Sequence, residues 1–232
     1  MKVAVFSDIH GNYEALTSIY DDIKNNNIDE IIFLGDAIGL GPQPIKCLEF
    51  IMNHPDIKMV IGNHEARQMK ESNVDYYAEG NRHHLWVHKQ MNEKHIDFIS
   101  KLPLYIERDY NGIKVYFSHF FLKSKNYSNL FYPFETIEDK DKIKEIKNNL
   151  HCDYMFVGHH HFYYDYKDLG IIDVSTSGCV YDDNTHYYIL TIDKELTYEK
   201  KTIKFDRNSF VNSFKDFDNE HNIAKRFFGV EL

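Results

Sequence analysis

Five short apolar runs in this chain end in the same way, and that ending limits the folds open to it. KVAVF runs into SDIH, IIFL into GD, KMVI into GNH, KVYF into SH, and YMFV into GHHH. Each run has the length of a buried strand and leaves its apolar stretch on Asp, Asn or His. The residues are Asp8 and His10, Asp36, Asn63 and His64, His119, and the triplet His159, His160 and His161. In open α/β sheets ligands bind beyond the carboxyl ends of the strands, so five such endings predict one shared site. A single D-x-H after a strand carries little weight, and a lone His there is usually a hydrogen-bonded structural residue. Five polar endings with no common purpose would be costly, because unpaired Asp and His beside a core lose their hydration. Divalent ions would offset that cost. Carboxylate, imidazole and amide donors together suit Mn, Fe or Zn better than an all-oxygen Ca or Mg cage. Asp8, His10, Asp36, Asn63, His119 and two of the terminal histidines exceed what one tetrahedral ion needs. They suit two ions that share a carboxylate.

The segments between the runs set the fold class. After Gly11-Asn12, the residues Leu16, Ile19, Tyr20 and Ile23 recur at helical spacing, and PIKCLEFIMNH forms a second helix with Pro44 in its first turn. The resulting β-α-β-α-β order predicts a largely parallel sheet with helices on its faces, an α/β fold. Residues 65–100 read as helical, a rim inserted beside the strand ends. LYIERDYNGIKVYFSH reads as a hairpin about Asn111-Gly112, and DKIKEIKNNL as a helix. GIIDVS, HYYILTID and TYEKKTIKF are further strands, the last two antiparallel across Asp193-Lys194. From about residue 208, Phe210, Phe214 and Phe217 mark a helical tail that packs on the body. One domain over residues 1–232 is expected.

The net charge of −9 over 232 residues argues against a nucleic-acid polymer or an anionic membrane as partner, since phosphate arrays reward clustered Lys and Arg. A small phosphorylated ligand needs only local positive charge. Cys47, Cys152 and Cys179 are odd in number and form no C-x-x-C pair, so neither a disulfide framework nor a cysteine zinc site is expected. With no signal-peptide pattern and no apolar run near the roughly 18 residues of a membrane span, a cytoplasmic location is expected.

In order and rough spacing, DIHGN, LGD, GNHE, SH and GHHH resemble the motifs of calcineurin-like metallophosphoesterases over residues 3 to 162. GDAIGLGPQPIKCLEFI and FISKLP further resemble a bacterial and archaeal subgroup of small single-domain phosphoesterases, often described as diadenosine tetraphosphatase-related or phosphodiesterase-like. The resemblance implies a four-layer α/β/β/α sandwich of two mixed sheets flanked by helices. It implies two divalent ions per chain, of Mn, Fe or Zn. One would be held by Asp8, His10, Asp36 and His161, and the other by Asp36, Asn63, His119 and His159, with Asp36 bridging. His64 would stand beside the ions as general acid, titrating near neutral pH. A water between the ions would become the attacking hydroxide. The implied activity is hydrolysis of a small phosphodiester or phosphomonoester, nucleotides included. The alternatives are a dinucleoside polyphosphate phosphoanhydride hydrolase and a non-catalytic scaffold on the same fold.

Several positions depart from the family pattern. Ser118 precedes His119 where relatives carry Gly, and His160 stands where they carry Thr. Gly39 and Leu40 replace the Asp and Arg of Ser/Thr protein phosphatases, which argues against that activity. STSGCVYDD departs from NPGS. Among candidate substrate contacts, Arg67 lies three residues after His64, and Asn12 either approaches substrate or caps a helix. His84 and His88 belong to the rim rather than to a metal site, and Lys123 and Lys125 are weaker phosphate candidates. In an extended segment residues two apart project to one side. His159 and His161 are therefore expected to face the ions together, with His160 turned away.

Overall fold

Alternation inside the first strand sets the layers. In β1 (Lys2–Phe6), Val3 and Val5 face one apolar cluster while Ala4 and Phe6 face another, and all four are buried. A strand buried on both faces lies between two apolar layers. The computed structural model describes residues 1–78, 81–132, 140–217 and 220–232; residues 79–80 of the expected rim and 218–219 of the expected tail lie outside them. After β1 come α1 (Tyr13–Lys24), β2 (Glu30–Phe33), α2 (Pro44–Asn53), β3 (Ile57–Met59), α3 (Asn63–Ala66), α4 (Arg82–Gln90) and α5 (Glu93–Ser100). Next are β4 (Tyr105–Tyr110), β5 (Ile113–Ser118), α6 (Lys140–Leu150), β6 (Tyr154–Val157), β7 (Tyr163–Tyr166) and β8 (Ile171–Val174). The chain closes with β9 (Asn184–Ile192), β10 (Leu196–Lys204), α7 (Arg207–Asn212) and α8 (Ile223–Phe228).

The strands form two mixed sheets, ordered β10-β9-β1-β2-β3 and β4-β5-β6-β8-β7. In the first, β1, β2 and β3 are parallel, as the alternating order predicts, and β9 pairs antiparallel with β1. In the second, β5, β6 and β8 are parallel, with β4 and β7 antiparallel at the edges. Val3, Val5, Ile32, Leu34 and Val60 of the first sheet meet Ile106, Val115, Phe117, Phe156 and Ile172 of the second in one cluster. On the far side of the first sheet pack Leu16, Ile19, Cys47 and Leu48 of α1 and α2, and on the far side of the second packs Ile143 of α6. The order of layers is therefore α/β/β/α. The tail packs Phe210, Phe214 and Phe228 against Ala15 of α1.

Strand β7 was not predicted. YYDY has no apolar alternation, and as an edge strand none of its residues is buried. The segment expected as the rim carries α3, α4 and α5, and α3 begins two residues before its bound, at Asn63. Among the described residues no helix is long and apolar enough to cross a membrane.

Candidate metal centre

The predicted strand ends meet at one edge, and the backbone brings them there by an unusual route. Asp8, His10, Asp36, His159 and His161 all lie in the left-handed region, with φ of 55°, 47°, 60°, 78° and 60°. Each such residue costs on the order of 1 kcal/mol, and Asp, Asn and His tolerate the region best among non-glycine types. The segment after β6 is therefore not extended, as the sequence suggested, but kinked at both outer histidines. The kinks send His159 and His161 to different sides of the cluster. His160 lies against Phe120 at a ring separation of 4.5 Å, with its Nδ1 3.9 Å from the buried Asp173 carboxylate.

Two groups of donors result. In one, His10 Nε2 lies 3.5 Å from Asp8 Oδ1 and 2.9 Å from His161 Nε2, and His161 Nε2 lies 3.2 Å from Asp8 Oδ1. In the other, Asn63 Oδ1 lies 2.9 Å from His119 Nε2 and 2.7 Å from His159 Nδ1. Asp36 Oδ2 stands between them, 3.8 Å from His10 Nε2 and 3.3 Å from His119 Nε2. Carbonyl oxygens accept from the far ring nitrogens, Ile38 O from His10 Nδ1 at 3.1 Å and Leu34 O from His119 Nδ1 at 2.9 Å. A carbonyl can only accept, so both rings carry their proton on Nδ1 and aim Nε2 inward, as metal-binding imidazoles do.

The electrostatics fit cations at this place. Asp8 is fully buried, and its Oδ1, facing two imidazoles, has no hydrogen-bond partner. Burial alone would raise the Asp8 pKa, but His119, His10 and His161 hold it well below the usual carboxylate value. Asp36 is likewise lowered, burial being outweighed by His119, His64 and His10. Burial would lower His119, yet Asp36 and Asp8 push it up to about 9, and His161 is raised against burial by Cys179 and Asp8. His159 falls to about 3 through burial and the His119 charge. Two buried carboxylates thus draw protons onto neighbouring imidazoles, where a divalent ion would supply the positive charge instead.

His64 adjoins the donors, with a ring nitrogen within 4.8 Å of donor atoms of His10 and Asp36. Its backbone N–H donates to Asp36 Oδ1 at 2.9 Å, its ring meets His10 edge-on at 4.9 Å, and its Nδ1 has no partner. A Cβ on Gly39, which has φ +87°, would collide with that ring, so the G-L-G stretch leaves the imidazole its seat. Burial, with help from His10, His84 and Arg67 and opposition from Asp36, lowers the His64 pKa well below the ordinary value. The sequence pointed to near-neutral titration; what it could not show was how deeply the ring is buried.

Behind the donors, Glu65 fastens the loop after β2 to the turn after β3. Its Oε2 accepts from the N–H groups of Asp36 and Gly62 at 2.9 and 3.1 Å, and its Oε1 from those of Ala37 and Ile38 at 2.9 and 3.2 Å. Burial and the Asp36 carboxylate push its pKa up, while the N–H groups of Asp36 and Ile38 pull it back. Four donors on two oxygens leave no acceptor site for a proton, and the side chain is held as a carboxylate.

A pocket of about 270 Å³ opens over the centre, lined by Asp36, His64, His161, Leu40 and Phe227 among others. It shares Asn63 and His159 with a neighbouring cleft of about 420 Å³ that Arg67, Asn81, Tyr127 and Tyr132 help line. Arg67 Nη1 donates to His84 Nε2 at 2.6 Å, and burial and the Arg67 charge hold His84 down to about 4, neutral and able to accept. His88 is turned to Gln68 and stacks on Tyr76. Asn12, which the sequence left as a cap or a substrate contact, takes the capping role and lines neither cavity. It is fully buried, its Oδ1 caps α1 at Ala15 N–H, and its Nδ2 donates to Gly178 O. The exposed Lys123 and Lys125 do not line either cavity. Three neighbours escaped the sequence reading: Glu65, visible in GNHE but given no task; Phe227 of the tail, 5.9 Å from the His161 ring; and Cys179. His10, His161 and Cys179 offer donor atoms within 4.8 Å of one another, although no cysteine spacing suggested it.

Comparison with known proteins places this geometry. The profile of the calcineurin-like phosphoesterase family matches residues 1–170. An uncharacterized protein of Methanocaldococcus jannaschii is 33% identical over 189 residues, covering 81% of this chain and 73% of that protein. The crystal structure of a metallophosphoesterase from Sphaerobacter thermophilus aligns with a TM-score of 0.73 at 20% identity, covering 98% of each chain. A shorter match, 34% identical over 67 residues, links 28% of this chain to 25% of the symmetrical bis(5'-nucleosyl)-tetraphosphatase of Haemophilus ducreyi. With the family profile spanning most of the sequence and its strand-end His, Asp and Asn side chains drawn together, the chain belongs to the calcineurin-like phosphoesterases, metal-dependent phosphoric ester hydrolases with a dinuclear divalent-metal centre.

Proposed function

We propose that the protein hydrolyses a small phosphodiester or phosphomonoester, nucleotides included, with His64 as proton donor to the leaving group. The supporting observation is the meeting of two donor groups at one oxygen of Asp36, beside a buried imidazole whose Nδ1 is unpartnered. Asp8, His10, Asp36 and His161 would hold one ion and Asp36, Asn63, His119 and His159 the other, drawn from Mn, Fe or Zn. When bound, such a pair supplies charge neutralisation at the phosphoryl group and a water acidic enough to attack it near neutral pH. The chain's own side chains do the rest. His10 and His119 are held in one tautomer by carbonyls, so their lone pairs need no reorientation. Arg67, braced by neutral His84, faces the wider cleft and grips a phosphate oxygen. His64 is neutral at rest; a phosphate beside it raises its proton affinity, and it passes a proton to the departing oxygen.

Purified protein with Mn²⁺ is expected to cleave bis-aryl and aryl phosphates. Asp36→Asn should abolish turnover, and His64→Ala should lose roughly 10²–10⁴-fold on esters with poor leaving groups. A His64→Ala enzyme that is fully active on such an ester would remove His64 from the donor role. The short likeness to a bis(5'-nucleosyl)-tetraphosphatase favours a second reading, phosphoanhydride hydrolysis of a dinucleoside polyphosphate. Product analysis separates the two, since ester and anhydride cleavage release different nucleotides.

A further inference from the structure

The side chain at the centre that the functional reading leaves unused is Cys179. It is buried, and the His161 imidazole stands beside its thiol. Its sulfur, His10 and His161 present donor atoms within 4.8 Å of one another. Nitrogen and sulfur atoms bound to one ion, at about 2.1 and 2.3 Å from it, lie no more than about 4.4 Å apart. In the tetrahedral arrangement zinc prefers they lie about 3.6 Å apart, so a shift of the Cys179 side chain on the order of 1 Å would complete a shared site. The partnerless Asp8 Oδ1 points into the same space, 3.2 Å from His161 Nε2 and 3.5 Å from His10 Nε2.

The loop that carries the thiol is built against the turn that carries Asp8 and His10. Ser177 N–H donates to Ser7 O at 2.9 Å and Gly178 N–H to Asp8 O at 3.0 Å. The Thr176 hydroxyl donates to Asp8 O at 2.7 Å and accepts from Cys179 N–H at 2.9 Å. A Cβ on Gly178 would collide with the Ile9 carbonyl oxygen, so a glycine is what lets the loop come this close. Cys179 also borders the tail cluster of Phe210 and Phe228, and a thiol packed only for that purpose would need no imidazole neighbours.

We propose that Cys179 is a thiolate ligand of the ion on the Asp8, His10 and His161 side, and that this position takes a thiophilic ion, zinc or iron(II), in preference to magnesium or manganese. The inference rests on the dinuclear reading above. On coordination the S–H bond gives its proton to solvent and a sulfur lone pair bonds the ion, with no change of oxidation state. Soft thiolate ligands favour zinc and iron over the hard cations, so one side of the centre would differ in kind from the other, whose donors are imidazole, amide and carboxylate.

Cobalt(II), a spectroscopic substitute for zinc, tests this without any turnover. Metal-free protein titrated with cobalt should develop visible d–d bands together with a near-ultraviolet thiolate-to-cobalt charge-transfer band. Cys179→Ser should keep the d–d bands, which shows that it folds and binds, and lose the charge-transfer band completely. Cys47→Ser should keep both. Visible bands without the charge-transfer band in the wild type, or a band that survives in Cys179→Ser, would overturn the thiolate assignment and leave the dinuclear reading standing. If the wild type gave no cobalt bands at all, the dinuclear reading would fall and this assignment with it.

Discussion

Exchanging Glu65 for glutamine asks what holds the ligand loops in place before any ion arrives. Four backbone N–H groups converge on the carboxylate at 2.9–3.2 Å, two on each oxygen. Glutamine is nearly isosteric, so no cavity forms and the fold meets no new bulk. It has one acceptor oxygen, however, and its NH₂ must face two N–H donors. Each stranded buried donor costs about 1–3 kcal/mol. The two bonds that survive also lose the help of the negative charge, so the total comes to roughly 3–6 kcal/mol. In a chain of this length 1 kcal/mol moves Tm by about 2–4 °C, which puts the expected drop on the order of 10 °C. Urea unfolding and calorimetry in the presence of a chelator would measure it free of ion binding. Were the side chain a neutral acid in the fold, glutamine would mimic it. A change below about 1 kcal/mol would therefore refute the carboxylate assignment.

Two further predictions concern protons. His119, held at about 9, and His161, also raised, carry protons in the ion-free protein at neutral pH, and ligation must displace them. Calorimetric metal titrations in buffers of different ionisation enthalpy should report about two protons released per chain from these imidazoles, and a third from the Cys179 thiol where it ligates. Affinity should then weaken as pH falls, and release of none would contradict the charge pattern. His186 is buried away from the centre, with its Nε2 on Val174 O at 3.1 Å; burial and Lys200 lower its pKa to about 4 from 6.5. Between those values the unfolded chain binds more protons, so this stability is full above pH 6.5 and is lost as pH falls toward 4, by about 3 kcal/mol in all. His186→Gln should flatten that part of the stability profile, and an unchanged profile would show that His186 is not the group responsible.

Much of the site was legible because the signal lay at boundaries between apolar and polar sequence. A buried strand needs an unbroken apolar run, and the residue that breaks it marks the sheet edge. This is how Asp8, Asp36, Asn63 and His119 can be found without coordinates. In the triplet, the outer rings reach the donor groups not along the extended path the sequence suggests but through φ values of 78° and 60°. Positive φ leaves no mark in a sequence when His rather than Gly adopts it. Cys179 stayed hidden for a different reason. Its contact with His161 spans a strand pair and a loop, so no spacing rule applies. Asn12 reads as a cap or a contact from its sequence position, and the capping role shows only in its burial and two hydrogen bonds. The edge strand β7 carries no periodic signal because neither of its faces is fully covered.

The left-handed ligand turns and the buried anchors are two sides of one arrangement. Five left-handed residues together cost about 5 kcal/mol or more, and their own side chains repay little of it, since these face one another across short contacts. The restraint comes from behind. Glu65 fixes the N–H groups of Asp36, Ala37 and Ile38; Thr176 and Gly178 bind the carbonyl of Asp8; the N–H groups of His10 and Gly11 bond to the carbonyls of Asp36 and Ala37 at 2.9 and 2.8 Å. None of these bonds involves an atom that a metal would need. The donor cage is therefore shaped by backbone-directed hydrogen bonds that leave every inward nitrogen and oxygen free for ligation. Such a cage need not be ordered by the ion it binds, and more of the ion's binding energy remains for the phosphoryl group.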